Sequence, residues 1–344
     1  MNRLPKPLGL DLGFGFTKCL DGKQTVIFQS HVRQASGQSD AAAEQPAETY
    51  HIALEDKDYI VGNDTHGPSL FENFARRPER LIDSYGQRLV LTAAAPFSSH
   101  ENPLHVVIGL PISYFQQWAA RLVKQLTGYH KIGIFQADGR CGRKNIHIRK
   151  VHVIPTPLGT YTGLIMDADG RRQASEYDDL KIAVVDIGFR TTDVMVMASG
   201  RFCNRGSGTI EMGMANGFEK IAGRLYRESG VIPDLNRLYK AIRMGSIRIE
   251  DQEYNVTKLR DETYREVSLA LADRINYNLK DDWDIERVLL TGGGAADAAA
   301  TIAPLIDSEV VLIEHEQDVR LSNVQGQLRL ARHMWGGSGF CNAG

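Results

Sequence analysis

Polar and apolar positions first mark out a hairpin. Leu8 to Leu12 form an apolar run around one aspartate, a glycine-rich turn follows, and Thr17 to Leu20 run back. After Asp21-Gly22 a third run covers Gln24 to Phe28, and Asp-Gly between apolar runs is a strong hairpin signal. Gln34 to Thr49 (QASGQSDAAAEQPAET) carry almost no large apolar side chain and read as a mobile surface loop. Alternation resumes in YHIALEDKDYIVG, with charged residues turning in its middle. LHVVIGLPISYF (Leu104 to Phe115) reads as a buried strand stopped by Pro111, which cannot continue a central strand. From Phe115, the positions Phe115, Trp118, Ala119, Leu122 and Leu126 fit one helical face, with Trp118 as a packing residue.

Further along, Asp138-Gly139 predicts a second hairpin leading into the strand IHIRKVHVIP. Arg140, Arg143, Lys144, Arg149 and Lys150 cluster here, but their alternation with Ile146, Ile148 and Val151 suits a solvated strand face better than a nucleic-acid patch. His147 and His152 have no third ligand beside them, so no metal site is expected there. After PTPLGTYTGL a polar break from Asp167 to Asp179 reads as the boundary between two lobes. The second lobe restarts with a strand, Lys181 to Asp186, and its own hairpin to Met197. Helices are predicted over Asn216 to Glu228 and Asp261 to Lys280, and RVLLTGGGAADAAATI reads as strand, glycine turn and helix. The final GGSGFCNAG is expected to fray.

A length of 344 residues agrees with two lobes, since single cores usually stop growing below that size. With 42% hydrophobic and 24% charged residues the balance is that of a globular protein. A formal net charge of −2 gives no whole-molecule case for binding DNA directly or for adhering to a membrane. Cys19, Cys141, Cys203 and Cys341 are scattered without metal spacing, which suggests reduced thiols in the cytoplasm. MNRLPKPLGLDLG lacks the long apolar stretch of a signal peptide, and no window reaches the ~18 apolar residues of a membrane span.

The chemistry lies in a phrase that occurs twice: LDLGFGFTK at Leu10 to Lys18 and VDIGFRTTD at Val185 to Asp193. A strand ending in Asp-x-Gly before a tight return strand sets a carboxylate at the strand tip and turn amides beyond it. Gly13, Gly15 and Gly188 leave room for close approach, and consecutive N–H groups in such a turn suit phosphate oxygens. Lys18, Thr191 and Thr192 add a charge and hydroxyl donors. Asp11 and Asp186 would repel a polyphosphate unless a hard cation such as Mg²⁺ lay between, reached through water. Two facing hairpins can thus grip one polyphosphate from both sides. After a third strand, Gly292, Gly293 and Gly294 let a flat ring lie against backbone, with a helix N-terminus just beyond. A dinucleotide fold is excluded, because GLDLGFGF lacks spaced G-x-G-x-x-G and leads into a strand.

In this order the three phrases resemble those of the actin-like ATPase superfamily. VIGLPISYF, VHVIPTPLG, RGSGTIEMGMANGFEKIA and LSNVQGQLRLAR look closest to the bacterial and archaeal actin-like proteins of the ParM/StbA plasmid-segregation group. The resemblance covers almost the whole chain. It implies an α/β fold of two duplicated ribonuclease-H-like domains with a nucleotide cleft between them. Residues 1–166 would form domain I, with 320–344 returning to it, and 167–319 would form domain II. It also implies ATP or ADP with Mg²⁺, hydrolysis coupled to turnover of a homopolymer filament, and a separate DNA-binding adaptor. By the same resemblance Asp11 and Asp186 manage Mg²⁺ and water, and Gly13, Phe14, Gly15 and Lys18 hold phosphates. Gly188, Phe189, Arg190, Thr191 and Thr192 hold the other side. Glu219 and Lys220 contact ribose and base, and Gly292 to Ala295 cradle the adenosine. Where the family has Gln or Glu after the first proline of VHVIPTPLG, this chain has Thr156, which implies slow hydrolysis. Two rival functions share the fold: a non-polymerising nucleotide-binding scaffold of the PilM type, and a small-molecule kinase, for which no additional acidic motif supplies the general base.

Overall fold

A computed structural model describes residues 4–35, 47–63, 78–99, 102–136, 138–233, 235–313 and 318–336. Most of the loop expected over Gln34 to Thr49, and the glycine-rich end with Cys341, lie outside the described residues.

Two sheets organise the chain. The first is built from β1 (Lys6–Leu12), β2 (Phe16–Leu20), β3 (Thr25–Gln29), β4 (Val32–Gln34), β5 (Thr49–Leu54) and β6 (Lys57–Gly62). It is completed by β7 (Leu104–Leu110), β8 (Gly128–Phe135) and β9 (Cys141–Pro155), in the order β3-β2-β1-β7-β9-β8-β5-β6-β4. The second contains β10 (Lys181–Ile187), β11 (Thr192–Ala198) and β12 (Arg201–Ile210). A small hairpin, β13 (Ser246–Ile249) and β14 (Gln252–Asn255), stands apart. Then β15 (Arg287–Thr291) and β16 (Glu309–Leu312) complete the second sheet as β12-β11-β10-β15-β16.

One topology is therefore used twice. In each sheet the first strand pairs antiparallel with its hairpin partner and parallel with a later strand, β1 with β7 and β10 with β15. The register repeats as well: Asp11 lies opposite Lys18 and beside Gly109, and Asp186 lies opposite Asp193 and beside Thr291. The strand beginning each set is an almost unbroken apolar run because it is buried on both faces.

The helices are α1 (Ser84–Ala94), α2 (Ile112–Leu126), α3 (Thr156–Ile165), α4 (Met214–Ser229), α5 (Leu235–Met244), α6 (Thr257–Leu279), α7 (Ala295–Ile302) and α8 (Ser322–Trp335). Along β10 the side chains alternate between two packing layers. Ile182 and Val184 meet Tyr161 and Ile165 of α3, while Ala183, Val185 and Ile187 belong to the large core that includes Phe218, Val267 and Leu271 of α4 and α6. On the first sheet, Val107 and Ile154 pack with Ala331 of α8. Thus α8 and α3 lie between the sheets, back to back. Their contact depends on Gly159 and Gly326: a Cβ built on Gly326 would sit 1.6 Å from the Gly159 carbonyl oxygen.

Two differences from the expected elements have local causes. The helix expected from Phe115 begins at Ile112, where its first two amides are met by Asp193 and Thr209 of the second sheet. PTPLGTYTGL, whose pattern predicts no element, is α3, with Pro157 in its first turn where a missing N–H costs nothing. Nothing in the pattern announces α1, α5 or the β13–β14 hairpin. On β9 the cations Arg143, Lys144, Arg149 and Lys150 are exposed while Ile146 and Ile148 are buried, as a solvated strand face requires. Among the described residues no helix is long and apolar enough to cross a membrane.

Candidate nucleotide site

Where the two sets of strands point at each other lies a cleft of about 260 Å³. Its inner end is formed by the two repeated turns. Each closes by the same backbone bond, Gly13 N–H to the Phe16 carbonyl at 3.2 Å and Gly188 N–H to the Thr191 carbonyl at 2.9 Å. The outer carbonyls are committed to protein partners. Ser30 bonds Gly13 and Gly15, and the amides of Met214 and Ala215 at the start of α4 bond Gly188 and Phe189. These oxygens are thereby tied up rather than left to repel an anion. The turns also touch, since a Cβ on Gly15 would lie 2.7 Å from Cβ of Phe189.

Both strand-tip carboxylates are buried, Asp11 at 3% and Asp186 at 7% exposure. Lys18 Nζ holds Asp11 at 2.6 Å. Asp186 accepts a bond of 2.9 Å from Nδ2 of Asn323, whose Oδ1 in turn accepts from the Thr160 hydroxyl at 2.8 Å. Burial, reinforced by the nearby charge of Asp11, pushes the Asp186 carboxyl up to about 6, with Lys18 and Asn323 holding it back. In the second copy of the phrase the place of Lys18 is taken by Asp193. It accepts from the Ile112 amide at 3.0 Å and from the Thr209 hydroxyl, and burial pushes its carboxyl up to about 8.

The expected residues divide into two groups. Asp11, Gly13, Phe14, Gly15, Lys18, Thr156, Asp186, Gly188, Phe189, Thr191 and Gly292 to Gly294 all line the cleft. Thr156 is there as expected, whereas Thr160 is engaged with Thr291 and Asn323, and Tyr161 is buried among the residues of the second sheet. The structure does not bring Glu219, Lys220, Arg190, Thr192 or Ala295 to the wall. Glu219 and Lys220 are exposed on the far side of α4, where Lys220 pairs with Glu266 at 2.9 Å, and the cleft side of that helix carries Met214 and Phe218. Arg190 turns away to Glu211 (2.9 Å) and the Tyr114 hydroxyl (3.0 Å), covering the Phe14 ring. Thr192 donates to the Met212 carbonyl, and Ala295 is buried behind the glycines.

Several wall residues escape a reading of the sequence. Arg320 and Asn323 arrive from the far end of the chain, the first directly before LSNVQGQLRLAR and the second within it, and Tyr239, Arg243, Arg260, Tyr264 and Asp297 come from α5, α6 and α7. Among the described residues no group of three or more acidic, histidine or cysteine side chains could hold a metal by itself. The two buried carboxylates, whose charges oppose each other, fit a hard cation that completes its shell with water and phosphate oxygens.

Residues 9–159 match the family model of the actin-like proteins' N-terminal domain, and residues 184–303 match that of the MreB-like archaeal actin homologue's C-terminal domain. The chain belongs to the actin-like proteins. A search of curated protein sequences gives no match. Among solved structures this actin-like protein is similar to a non-polymerisable quadruple mutant of pCBH ParM, 19% identical with a TM-score of 0.76 over 95% of this chain and 98% of that one. It is similar to a 15-stranded ParM filament from Clostridium botulinum, 18% identical, TM-score 0.75, covering 96% and 99%. An archaeal actin homologue in complex with ADP is 16% identical, TM-score 0.75, covering 94% and 98%. At these identities the likeness establishes the fold, an actin-like pair of sheet-based subdomains.

Proposed function

We propose that this actin-like protein hydrolyses ATP in the cleft and couples that reaction to assembly of a filament of its own copies. The observation that carries the reading is the paired turns: the same closing bond, the same register and a buried aspartate at each strand tip, abutting across one cleft. Amides of the two turns, with Lys18 and Arg320, meet the phosphates. Asp11 and Asp186 would hold Mg²⁺, which when bound would neutralise charge on the phosphate oxygens. Asp186, fixed by Asn323 on α8, orients the attacking water, and Thr156 at the start of α3 faces the same space. The base lies at the far end, against Gly292 to Gly294 and the aromatic rings of α4, α5 and α6.

Because both lobes contribute to the phosphate grip, nucleotide draws them together by as much as its affinity differs between closed and open forms. One of the similar structures is itself a ParM filament, and that likeness supports self-association as the readout. We divide the chain at 166/167, with the C-terminal segment assigned to the first domain, and place its work in the cytoplasm. Plasmid or other DNA is the cargo we infer, reached through a separate DNA-binding adaptor, since a net charge of −2 supplies no footprint of its own.

Asp186→Ala tests the assignment. Loss of a group acting mainly in the transition state should abolish phosphate release while ATP binding changes little. A variant that hydrolyses ATP at the parental rate would remove Asp186 from the mechanism.

A further inference from the structure

The outer end of the cleft has a chemistry of its own. Phe218 stacks on Tyr239 with ring centroids 6.0 Å apart and planes 10° from parallel, and Tyr264 tilts against Phe218 at 6.5 Å. Met214 and Ile242 complete the apolar walls. Walls of this kind accept a flat base through area and stacking, and they do not distinguish one purine from another. Discrimination falls to the groups that meet the polar edge of the ring. The charged side chains at this end are Arg243, Arg260 and Asp297. Arg260 is committed within the protein: its Nε donates to Asp261 at 2.8 Å and its Nη1 to the Ile242 carbonyl at 3.2 Å. Asp297, in the first turn of α7 directly after the three glycines, makes no hydrogen bond or ion pair among the described residues.

An ionised carboxylate offers two parallel acceptors and no donor. Guanine matches it with two parallel donors, N1–H and the 2-amino group. Adenine offers one amino donor beside the N1 lone pair, which would face the second carboxylate oxygen. We propose that Asp297 reads the donor edge of a guanine, so that the cleft takes guanine nucleotides at least as tightly as adenine nucleotides. This rests on the nucleotide reading of the cleft given above, and it assigns to that reading a base preference.

The test is calorimetric titration of the full chain with unlabelled GDP and ADP in Mg²⁺ buffer, for the parent, Asp297→Asn and Asp297→Ala, each checked for an unchanged melting curve. The parent should bind GDP as tightly as ADP or tighter. Asparagine converts the acceptor pair into an acceptor beside a donor, the pattern that suits adenine. Asp297→Asn should therefore weaken GDP by about 10- to 100-fold and leave ADP unchanged or tighter, the discrimination expected of one two-point base contact. Asp297→Ala should weaken GDP and spare ADP. A parent that binds ADP tighter than GDP overturns the proposal, as do variants that weaken both nucleotides equally, which would place Asp297 at the ribose. If neither nucleotide binds the parent, the nucleotide reading fails together with the base preference, and that result is distinct from failure of the preference alone.

Discussion

Replacing Gly292 by alanine should cripple hydrolysis. The same change one residue on, Gly293→Ala, meets the base rather than Asp186, and should alter nucleotide affinity while leaving the single-turnover rate at saturation nearly parental. Gly292 has φ +92, and a Cβ built on it would lie 2.1 Å from Oδ1 of Asp186 and 2.6 Å from the Ile187 carbonyl oxygen. Left-handed backbone costs an alanine about 1–2 kcal/mol. The contact strains both the turn and the site: the Asp186 carboxylate must withdraw by about 1 Å or more, and the Ile187 backbone, 2.6 and 2.9 Å from the new Cβ, must shift as well. Displacement on that scale lowers a rate by roughly a hundredfold. At Gly293 the nearest atom to a new Cβ is Cγ of Arg320 at 3.5 Å, an ordinary contact. Single-turnover phosphate release, with ATP affinity and melting temperature measured alongside, separates the outcomes. The expected result is a loss of about two orders of magnitude for Gly292→Ala with affinity within a few fold. Parental hydrolysis by Gly292→Ala, or equal damage at Gly293, would refute the placing of Asp186 against this turn as the determinant of rate.

Thr156→Gln puts a longer amide at a cleft-lining position and should speed single-turnover phosphate release with little change in ATP affinity; a slower variant would make Thr156 an adapted participant in its own right. Asp193, raised to about 8 by burial, stays protonated in the folded protein where the unfolded chain has already ionised, so its contribution to stability falls as pH rises from about 4 through 8. Asp193→Asn, melted without nucleotide in EDTA, should therefore gain on the parent as pH is raised from 5 to 8. His105, His147 and His152, lowered by burial, act in the opposite sense and cancel in that comparison, and a pH-independent difference would contradict the buried titration.

What can be read from the residues alone is whatever local chemistry determines. Asp11-x-Gly13 and Asp186-x-Gly188 are contiguous phrases whose hairpins close within a few residues, so both turns and the third glycine turn are legible together with their strands. Asn323 and Arg320 are not, because they reach the cleft through packing of α8 between the sheets, at a sequence distance no period spans. Thr156–Ile165 hides its helix behind two threonines, two glycines and a proline after its first residue, all weak helix formers, and owes its form to the close approach of Gly159 to Gly326. Glu219 and Lys220 show the reverse failure. Periodicity predicts their helix, but which of its faces turns to the cleft is decided by burial of Met214 and Phe218 rather than by the charged pair. Arg190 likewise belongs to the repeated phrase, yet Glu211 and Tyr114 draw it to the junction between the lobes.

The central claim is that nucleotide held between the repeated turns sets the subunit into a polymer. Light scattering of the purified chain on addition of Mg-ATP tests it most directly, with Mg-ADP and nucleotide-free protein followed in parallel. Scattering should rise with ATP, decay as ADP accumulates, and stay at baseline without nucleotide. A flat trace at protein concentrations where ATP binding is demonstrated by calorimetry would contradict the account.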